Sequence, residues 1–216
     1  VISILGGVLV VVVLLGVVSN YMLNYSLRPD ADVVFSRENA WEGMFKTYPD
    51  MRAWRDSLNA CGALHDTVVV REDGTRLHAY YIPAAQVTDQ TAVIVHGYTD
   101  CAIRMMHIGR MYNRDLGFNI LLPDLYYHGD SEGEAIQMGW KDRLDVMRWM
   151  AIAANIFDAQ NMVVHGISMG AATTMMVSGE EQPEYVKAFV ENCGYTSVWD
   201  EFKQELKKQY TLPTFP

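Results

Sequence analysis

The Gly-Ile-Ser-Met-Gly sequence at residues 166–170 constrains the fold more than any other segment of the chain. It follows the apolar run NMVVH and opens MGAA, a segment of small residues suited to a helix. This order predicts a strand, a sharp turn at Ser168 and then a helix. Glycine is required at both ends, because the serine backbone is strained and a side chain at Gly166 or Gly170 would collide across the turn.

Strands and helices alternate around this turn. The runs DTVVVRE and TRLHAYYIPA flank Asp73-Gly74 and predict a hairpin, because Asp-Gly favours the positive φ angles of a tight turn. The apolar runs TAVIVHG, FNILLPD, NMVVHG and VKAFVEN follow, separated by predicted helices at 103–116, from about Trp140 and from Met169. This pattern predicts an α/β fold with a mostly parallel sheet covered by helices on both faces. We expect the apolar face of the second helix to comprise Trp140, Leu144, Met147, Ala151 and Ala154.

Residues Val1–Val18 contain only apolar residues and glycine. This run is long enough for a transmembrane helix, which needs about 18 to 20 such residues. Tyr21 and Tyr25 follow where an interfacial aromatic belt would lie, and the first charged residue is Arg28. A signal-peptide core and a buried strand are the alternatives, but we see neither the shorter apolar core nor the cleavage site of a signal peptide.

The chain divides into four predicted parts. We assign residues 1–27 to the membrane anchor, 28–65 to a helical connector, 66–195 to the α/β domain, and 196–216 to an amphipathic helix. In the connector, Met51, Trp54, Leu58 and Cys61 share one helical face. The last helix precedes LPTFP and either covers the sheet or begins a cap over the site.

Charge and cysteine content exclude several classes of function. The net charge is -9, with acidic and basic residues mixed, whereas nucleic-acid binding needs a clustered basic face. Cys61, Cys101 and Cys193 are too few and too scattered for a disulfide framework or a zinc site. We expect all three to be small buried apolar residues.

The predicted turn suits nucleophilic catalysis by Ser168, because it raises the hydroxyl clear of the sheet. An acyl-transfer enzyme must also stabilise an oxyanion with fixed N–H donors. The backbone N–H of Met169 is one candidate, and that of Tyr98, in the His96-Gly97-Tyr98 sequence after the TAVIV strand, is the other. We interpret His96 as a brace for that loop, whereas the Tyr98 side chain either lines a pocket or packs against the loop.

The order of HGY, LLPDLYYHGDSEG, GISMG and VKAFVENCGY resembles the α/β-hydrolase superfamily over about residues 66–195. It is similar to bacterial membrane-anchored members near the serine-aminopeptidase and acetyl-esterase-like branches. The resemblance implies that Asp124, His128-Gly129 and Ser131 hold a loop beside the site without acting as catalytic acid or base. A metal site at Asp124, Asp130, Glu132 and Glu134 is a weaker interpretation, because these residues lack the ligand spacing of known sites. No cofactor is implied.

The chain departs from this family in its catalytic acid and base. In this fold the triad runs serine, acid, histidine, but all six histidines precede Ser168. Asp200 is the only later aspartate, and it lies in the predicted last helix. We therefore expect the acid, the histidine and the last strands of the sheet to lie beyond Pro216, in a longer protein.

The sequence thus predicts a membrane-anchored serine hydrolase of an ester, thioester, amide or peptide substrate. Its domain would lie outside the cytoplasm, as in many proteins with one N-terminal anchor. A catalytically inactive, membrane-tethered binding module is an alternative, as is one half of a split enzyme. A dehalogenase or epoxide hydrolase is disfavoured, because those enzymes use an aspartate where this chain has Ser168.

Overall fold

The computed structural model describes residues 2–29 and 36–210, with side chains from 5–29 and 36–208. Val1, residues 30–35 of the predicted connector and the LPTFP segment lie outside the described residues.

Six strands form one mixed sheet in the order β1-β2-β4-β3-β5-β6. Their bounds are β1 His65–Val70, β2 Arg76–Ile82, β3 Gln90–Val95, β4 Asn119–Pro123, β5 Asn161–Ile167 and β6 Val186–Asn192. The pairs β1-β2 and β2-β4 are antiparallel, whereas β4, β3, β5 and β6 run parallel to one another. The predicted hairpin and the predicted parallel core of the sheet are therefore confirmed.

The helices join the strands in the predicted alternation. Their bounds are α1 Ile2–Leu27, α2 Arg37–Thr47, α3 Met51–Ala60, α4 Met106–Arg110, α5 Asp142–Phe157, α6 Met169–Ser178 and α7 Val198–Tyr210. The segment predicted as one helix at 103–116 is instead composite: a 3₁₀ turn at Ala102–Met105 precedes α4, and a π turn at Met111–Asp115 follows it. Gly117, at φ +75°, ends this segment.

Each face of the sheet has its own hydrophobic core. One core packs α2, α3 and the 102–115 segment against alternate sheet residues such as Ile82, Ile94 and Ile120. The other packs α5 and α6 against the opposite face, around residues such as Leu121 and Trp149. Alternate residues of a strand point to opposite faces, so nearly every position in the central strands is apolar.

The predicted apolar face of α5 is correct only for Met147 and Ala154, which are partly buried against the sheet core. Trp140 precedes the helix and is 62% exposed, and Leu144 is 54% exposed. The buried apolar face instead comprises Val146, Trp149, Met150 and Ala153. Both sets recur at helical spacing, because this helix carries apolar residues on two adjacent faces, and spacing alone does not distinguish them.

The prediction that all three cysteines are buried is also wrong for two of them. Cys101 is buried, whereas Cys61 and Cys193 are exposed. Cys61 immediately follows the last residue of α3, so it does not continue the buried face formed by Met51, Trp54 and Leu58. Cys193 follows the end of β6, with a positive φ of 54°.

The N-terminal helix α1 is apolar and projects from the rest of the chain. Among the described residues, it is the one helix long and apolar enough to cross a membrane, over Leu5–Leu27. Its side chains are exposed from Leu5 to Tyr21 and become partly buried only near its end, where Leu27 packs against a sheet core. A membrane anchor and a signal sequence both have this character.

Candidate functional site

The turn between β5 and α6 holds Ser168 in a strained conformation. Ser168 has φ 55° and ψ −119°, a region that residues other than glycine rarely adopt. Its side chain is exposed although the residues that follow it are buried, and it makes no capping hydrogen bond to α6. Its hydroxyl therefore stands clear of the sheet at the start of a helix, as the sequence predicts.

Close packing of backbone accounts for both glycines of the turn. A Cβ on Gly166 would lie 2.1 Å from the Gly170 carbonyl oxygen. A Cβ on Gly170 would lie 2.2 Å from the Val95 carbonyl oxygen and 2.5 Å from that of His96. These distances are too short for any side chain, so the turn and the end of β3 fit together only with glycine at both positions.

The loop after β3 lies directly against Ser168. Val95 and Gly166 are register partners at the ends of β3 and β5. A Cβ on Gly97 would lie 3.2 Å from the Ser168 Cβ and 3.8 Å from its Oγ. We call the end of the sheet where β3, β4, β5 and β6 all finish, with the loops that follow them, the serine end.

Backbone N–H groups are available at this end. Met169 is the first residue of α6, and helix geometry leaves its N–H without an acceptor inside the helix. The positive end of the α6 dipole is also directed at Ser168. The Tyr98 side chain is 39% exposed, and its hydroxyl donates a 2.7 Å hydrogen bond to the Ser26 carbonyl of α1.

The fully buried His96 links two loops of the serine end. Its Nε2 accepts a 2.9 Å hydrogen bond from the Leu125 N–H, and its Nδ1 lies 2.8 Å from the Gly97 carbonyl oxygen. The ring is therefore neutral, with its proton on Nδ1. Burial holds the pKa of His96 well below its usual range, and the nearby His128 adds to this effect. His96 thus fixes Gly97 against Ser168.

A second network, which the sequence only partly indicates, surrounds Asp124. Its Oδ2 lies 2.8 Å from His78 Nδ1 and accepts a 3.2 Å bond from the Asp130 N–H, and its Oδ1 accepts a 2.8 Å bond from the Ala102 N–H. The Ser131 hydroxyl donates to the Asp124 carbonyl oxygen at 2.7 Å. The buried carboxylate thus holds the loops after β3 and β4 together.

This network bears on the metal interpretation. Possible ligand atoms of His78, Asp124 and Asp130 lie within 4.8 Å of one another, whereas the sequence suggested Glu132 and Glu134 as the companions of the two aspartates. The Glu132 carboxylate instead accepts a hydrogen bond from the Arg76 N–H. The Arg37 guanidinium lies 2.6 Å from the Asp130 carboxylate, so a protein cation already pairs with one of the two carboxylates of this cluster.

Among the residues that the structure describes, neither the acid nor the histidine of a catalytic triad is bonded to Ser168. Within the described residues, no histidine side chain hydrogen-bonds to Ser168 Oγ. His78, His96, His107, His128 and His165 have other partners. Asp200 is exposed in the first turn of α7, where its N–H bonds to the Ser197 hydroxyl.

Sequence reasoning missed two residues that touch Ser168. Gly97 lies against its side chain, and the Asn192 carbonyl at the end of β6 accepts a 2.9 Å hydrogen bond from the Ser168 N–H. The glycine of the His-Gly-Tyr sequence was the available signal for Gly97, because a residue without a side chain lets another segment approach its backbone closely. Asn192 acts through its backbone, so no residue-type signal could have identified it.

Comparisons with known proteins point to one fold. The Peptidase_S9 model, which describes the prolyl oligopeptidase family, matches residues 126–214, less than half of the chain. The uncharacterised protein YqkD of Bacillus subtilis is 22% identical over 214 residues, which span 98% of this chain and 66% of YqkD.

Two solved structures illustrate the structural similarity. An esterase from Pyrococcus furiosus superposes with a TM-score of 0.62 at 22% identity, covering 72% of this chain and 60% of the esterase. An alpha/beta hydrolase from Novosphingobium aromaticivorans gives a TM-score of 0.50 at 18% identity, covering 68% of this chain and 50% of that hydrolase. The chain therefore corresponds to at most two thirds of the length of these relatives.

Proposed function

Because this chain belongs by its fold to the α/β-hydrolase superfamily, we propose that it carries the nucleophile of a membrane-anchored serine hydrolase that cleaves an acyl bond. One observation carries the proposal. The exposed Ser168, at φ 55°, lies between β5 and α6 and directly against Gly97 of the neighbouring strand's loop. A strained serine in this position is costly to maintain and suits a nucleophile.

In the proposed mechanism, Ser168 Oγ attacks the acyl carbon and its proton passes to a general base. The N–H groups of Met169 and Tyr98 donate to the resulting oxyanion. The carbon–leaving-group bond then breaks, and the leaving group takes the proton from the base. Water next attacks the acyl-enzyme, releasing the acid and restoring the Ser168 hydroxyl. No step of this proposed mechanism requires a cofactor.

We further propose that residues C-terminal to this chain supply the general base and its acid partner. Strand β6 is at the border of the sheet, and most of its side chains are exposed, including Val190 at 36%. Unpaired N–H and C=O groups along such a strand can accept another strand. The chain spans 60% of the Pyrococcus furiosus esterase, which leaves length for such strands in a whole protein.

We assign α1 as a membrane anchor, with the domain outside the cytoplasm. The helix is 26 residues long and continuously exposed along its apolar part. Exposed apolar side chains on this scale are unfavourable in water and favourable in a bilayer. Extraction of native membranes with alkaline carbonate tests this assignment: an anchored protein stays in the pellet, and a chain cleaved after a signal sequence is released.

The proposal includes two types of bond that the enzyme could cleave, a peptide bond or an ester bond. Similarity to the prolyl oligopeptidase family supports a peptide bond, and similarity to the Pyrococcus furiosus esterase supports an ester. The alternative function is a binding module without activity, or half of a split enzyme. It is favoured by one observation, the absence of a histidine bonded to Ser168 among the described residues.

A fluorophosphonate probe applied to the full natural protein in its membrane tests the proposal. We expect one covalent adduct, on Ser168, that is lost in Ser168→Ala. Ser178→Ala is the matched control, because Ser178 ends the same helix and its hydroxyl donates to the Met175 carbonyl; it should label as the wild type does. Failure of the wild-type protein to label would favour the inactive module.

A further inference from the structure

The anchor helix ends on the serine end of the sheet. The Tyr98 hydroxyl donates to the Ser26 carbonyl at 2.7 Å, and the Ile136 N–H donates to the Leu27 carbonyl at 2.8 Å. The Tyr127 hydroxyl adds a 3.2 Å bond to the Pro29 carbonyl. Tyr98 follows β3, whereas Tyr127 and Ile136 follow β4, so the loops after two strands of the serine end hold the end of α1.

The position of α1 sets the distance between the site and a bilayer. The apolar run ends at Val18, and Ser26 lies eight residues further along the same helix. At 1.5 Å per residue, the Tyr98–Ser26 contact is about 12 Å beyond the apolar run along the axis. The polar region of one leaflet is about 5–8 Å thick, so a bilayer whose hydrocarbon core ends at Val18 would place this contact just outside the headgroups. Among the described residues, the end of α1 is thus hydrogen-bonded to the serine end of the domain.

The distribution of exposed aromatic residues agrees with this orientation. Two of the five tryptophans are more than half exposed: Trp140, at 62%, lies in the segment after β4, and Trp199, at 58%, lies in α7 after β6. Both therefore follow strands that finish at the serine end. Tryptophan and tyrosine are enriched at membrane interfaces, where a ring can lie between lipid and water.

We propose that the serine end faces the bilayer and that the substrate is a long-chain acyl ester resident in the membrane. This inference rests on the proposed hydrolase function of Ser168. The substrate's carbonyl would rise to Ser168 while most of its chain stays in lipid. Moving a chain into water instead would weaken binding about fourfold for each exposed methylene. Attack by Ser168 Oγ breaks the acyl C–O bond and releases the alcohol, and water then releases the fatty acid.

The orientation can be measured on the full natural protein in phosphatidylcholine vesicles. In a background of Cys61→Ser and Cys193→Ser, a fluorophore is attached at Glu134→Cys or Val87→Cys. Both positions are exposed, but Glu134 is at the serine end and Val87 precedes β3 at the opposite end. We expect a nitroxide on the lipid headgroup to quench the label at position 134 at least threefold more than that at 87. Equal quenching, or stronger quenching at 87, overturns the orientation.

The substrate class is tested with two esters of the same fluorogenic alcohol, a soluble butyrate and a vesicle-embedded oleate. We expect oleate hydrolysis to follow its mole fraction in the membrane and to exceed butyrate hydrolysis at least tenfold in kcat/KM. Labelling of Ser168 by fluorophosphonate with hydrolysis of butyrate alone, or of neither ester, overturns the lipid inference and leaves the hydrolase. Absence of labelling overturns the hydrolase itself, and the lipid inference with it.

Discussion

Gly97 and Ser168 belong to different strands' loops, yet a single added Cβ at Gly97 would lie 3.2 Å from the Ser168 Cβ. The contact exists because β3 and β5 are parallel neighbours that finish in register. His96 holds the Gly97 carbonyl from the other side, at 2.8 Å. The environment of the serine is thus built by packing between backbone segments, and its sensitivity to substitution should follow the local clearances.

Gly170→Ala should prevent correct formation of the turn. Its new Cβ would lie 2.2 Å from the Val95 carbonyl oxygen, and neither backbone segment is free to move away. We expect a loss of at least about 3 kcal/mol in the free energy of unfolding, as for severe overpacking. The midpoint of denaturant unfolding in detergent measures it.

Gly179→Ala provides the matched control for this substitution. Gly179 ends the same helix at a negative φ, and its nearest neighbour atom would lie 3.6 Å from the added Cβ, an ordinary contact. Its unfolding midpoint should stay close to that of the wild type. Similar midpoints for the two variants would contradict the packing argument.

The sequence was sufficient to predict the strands, their parallel core and the turn at Ser168. Those predictions depend on apolar runs and on glycines at fixed positions, which are local signals. The apolar face of α5 was predicted only in part, because Leu144 and Val146 both fit helical spacing and only the arrangement of the sheet selects between them. Such a choice depends on tertiary packing.

Hydrogen bonds between residues far apart in the sequence could not be predicted from the sequence either. The pairing of His78 with Asp124 joins residues 46 positions apart, and Tyr98 with Ser26 joins residues 72 apart. Residue type suggests that a buried aspartate needs partners but does not identify them. The roles of Ser168, Met169 and Tyr98 remain predictions, because they concern a reaction rather than a conformation.

Acid should destabilise the chain through two facing histidines. The rings of His96 and His128 lie 4.9 Å apart, and burial lowers the pKa of His128 to about 4 and that of His96 well below its usual range. Because the folded pKa values are depressed, the unfolded chain binds more protons below pH 6.5. The contribution of the two neutral histidines to the free energy of unfolding is therefore complete above about pH 6.5. It is lost as the pH falls toward 4, by up to about 1.4 kcal/mol per pH unit for each histidine.

His128→Asn isolates one of these groups. An asparagine amide can still donate to the Tyr126 carbonyl that His128 Nδ1 contacts at 2.9 Å, but it does not titrate. We expect the difference in unfolding free energy between pH 7.5 and pH 5 to be smaller in this variant than in the wild type. An unchanged difference, measured by urea titration at both pH values, would show that His128 does not contribute.

The three cysteines should react at very different rates. Cys61 and Cys193 are exposed, whereas Cys101 is buried and its pKa is raised to about 12, first by desolvation and then by Asp124. Only the thiolate is a good nucleophile. We expect maleimide to modify two thiols of the folded chain at pH 7.5 and three after denaturation, and mass spectrometry of the digested protein to find the protected thiol at Cys101. Rapid modification of Cys101 in the folded state would contradict its placement.

Asp142 should weaken the fold at neutral and alkaline pH. Its carboxyl is fully buried at the start of α5, where Oδ2 accepts a 2.8 Å bond from the Gly139 N–H. Desolvation raises its pKa to about 7, and the nearby Asp145 adds to the effect. Because the folded pKa is above the unfolded value of 3.8, the folded chain binds the extra proton between these pH values. The protonated Asp142 side chain therefore makes its full contribution to the free energy of unfolding below about pH 4, and this contribution is lost as the pH rises through 7.

Asp142→Asn keeps an acceptor for Gly139 and removes the charge. We expect it to raise the free energy of unfolding at pH 8.5 by at most about 4 kcal/mol, from three pKa units at 1.36 kcal/mol each, with little gain at pH 4. Asp158→Asn is the control, because it removes an exposed charge just beyond the other end of the same helix, where the expected change is within about 1 kcal/mol. If Asp142→Asn gave the same change at both pH values, its effect would come from packing rather than from the buried charge.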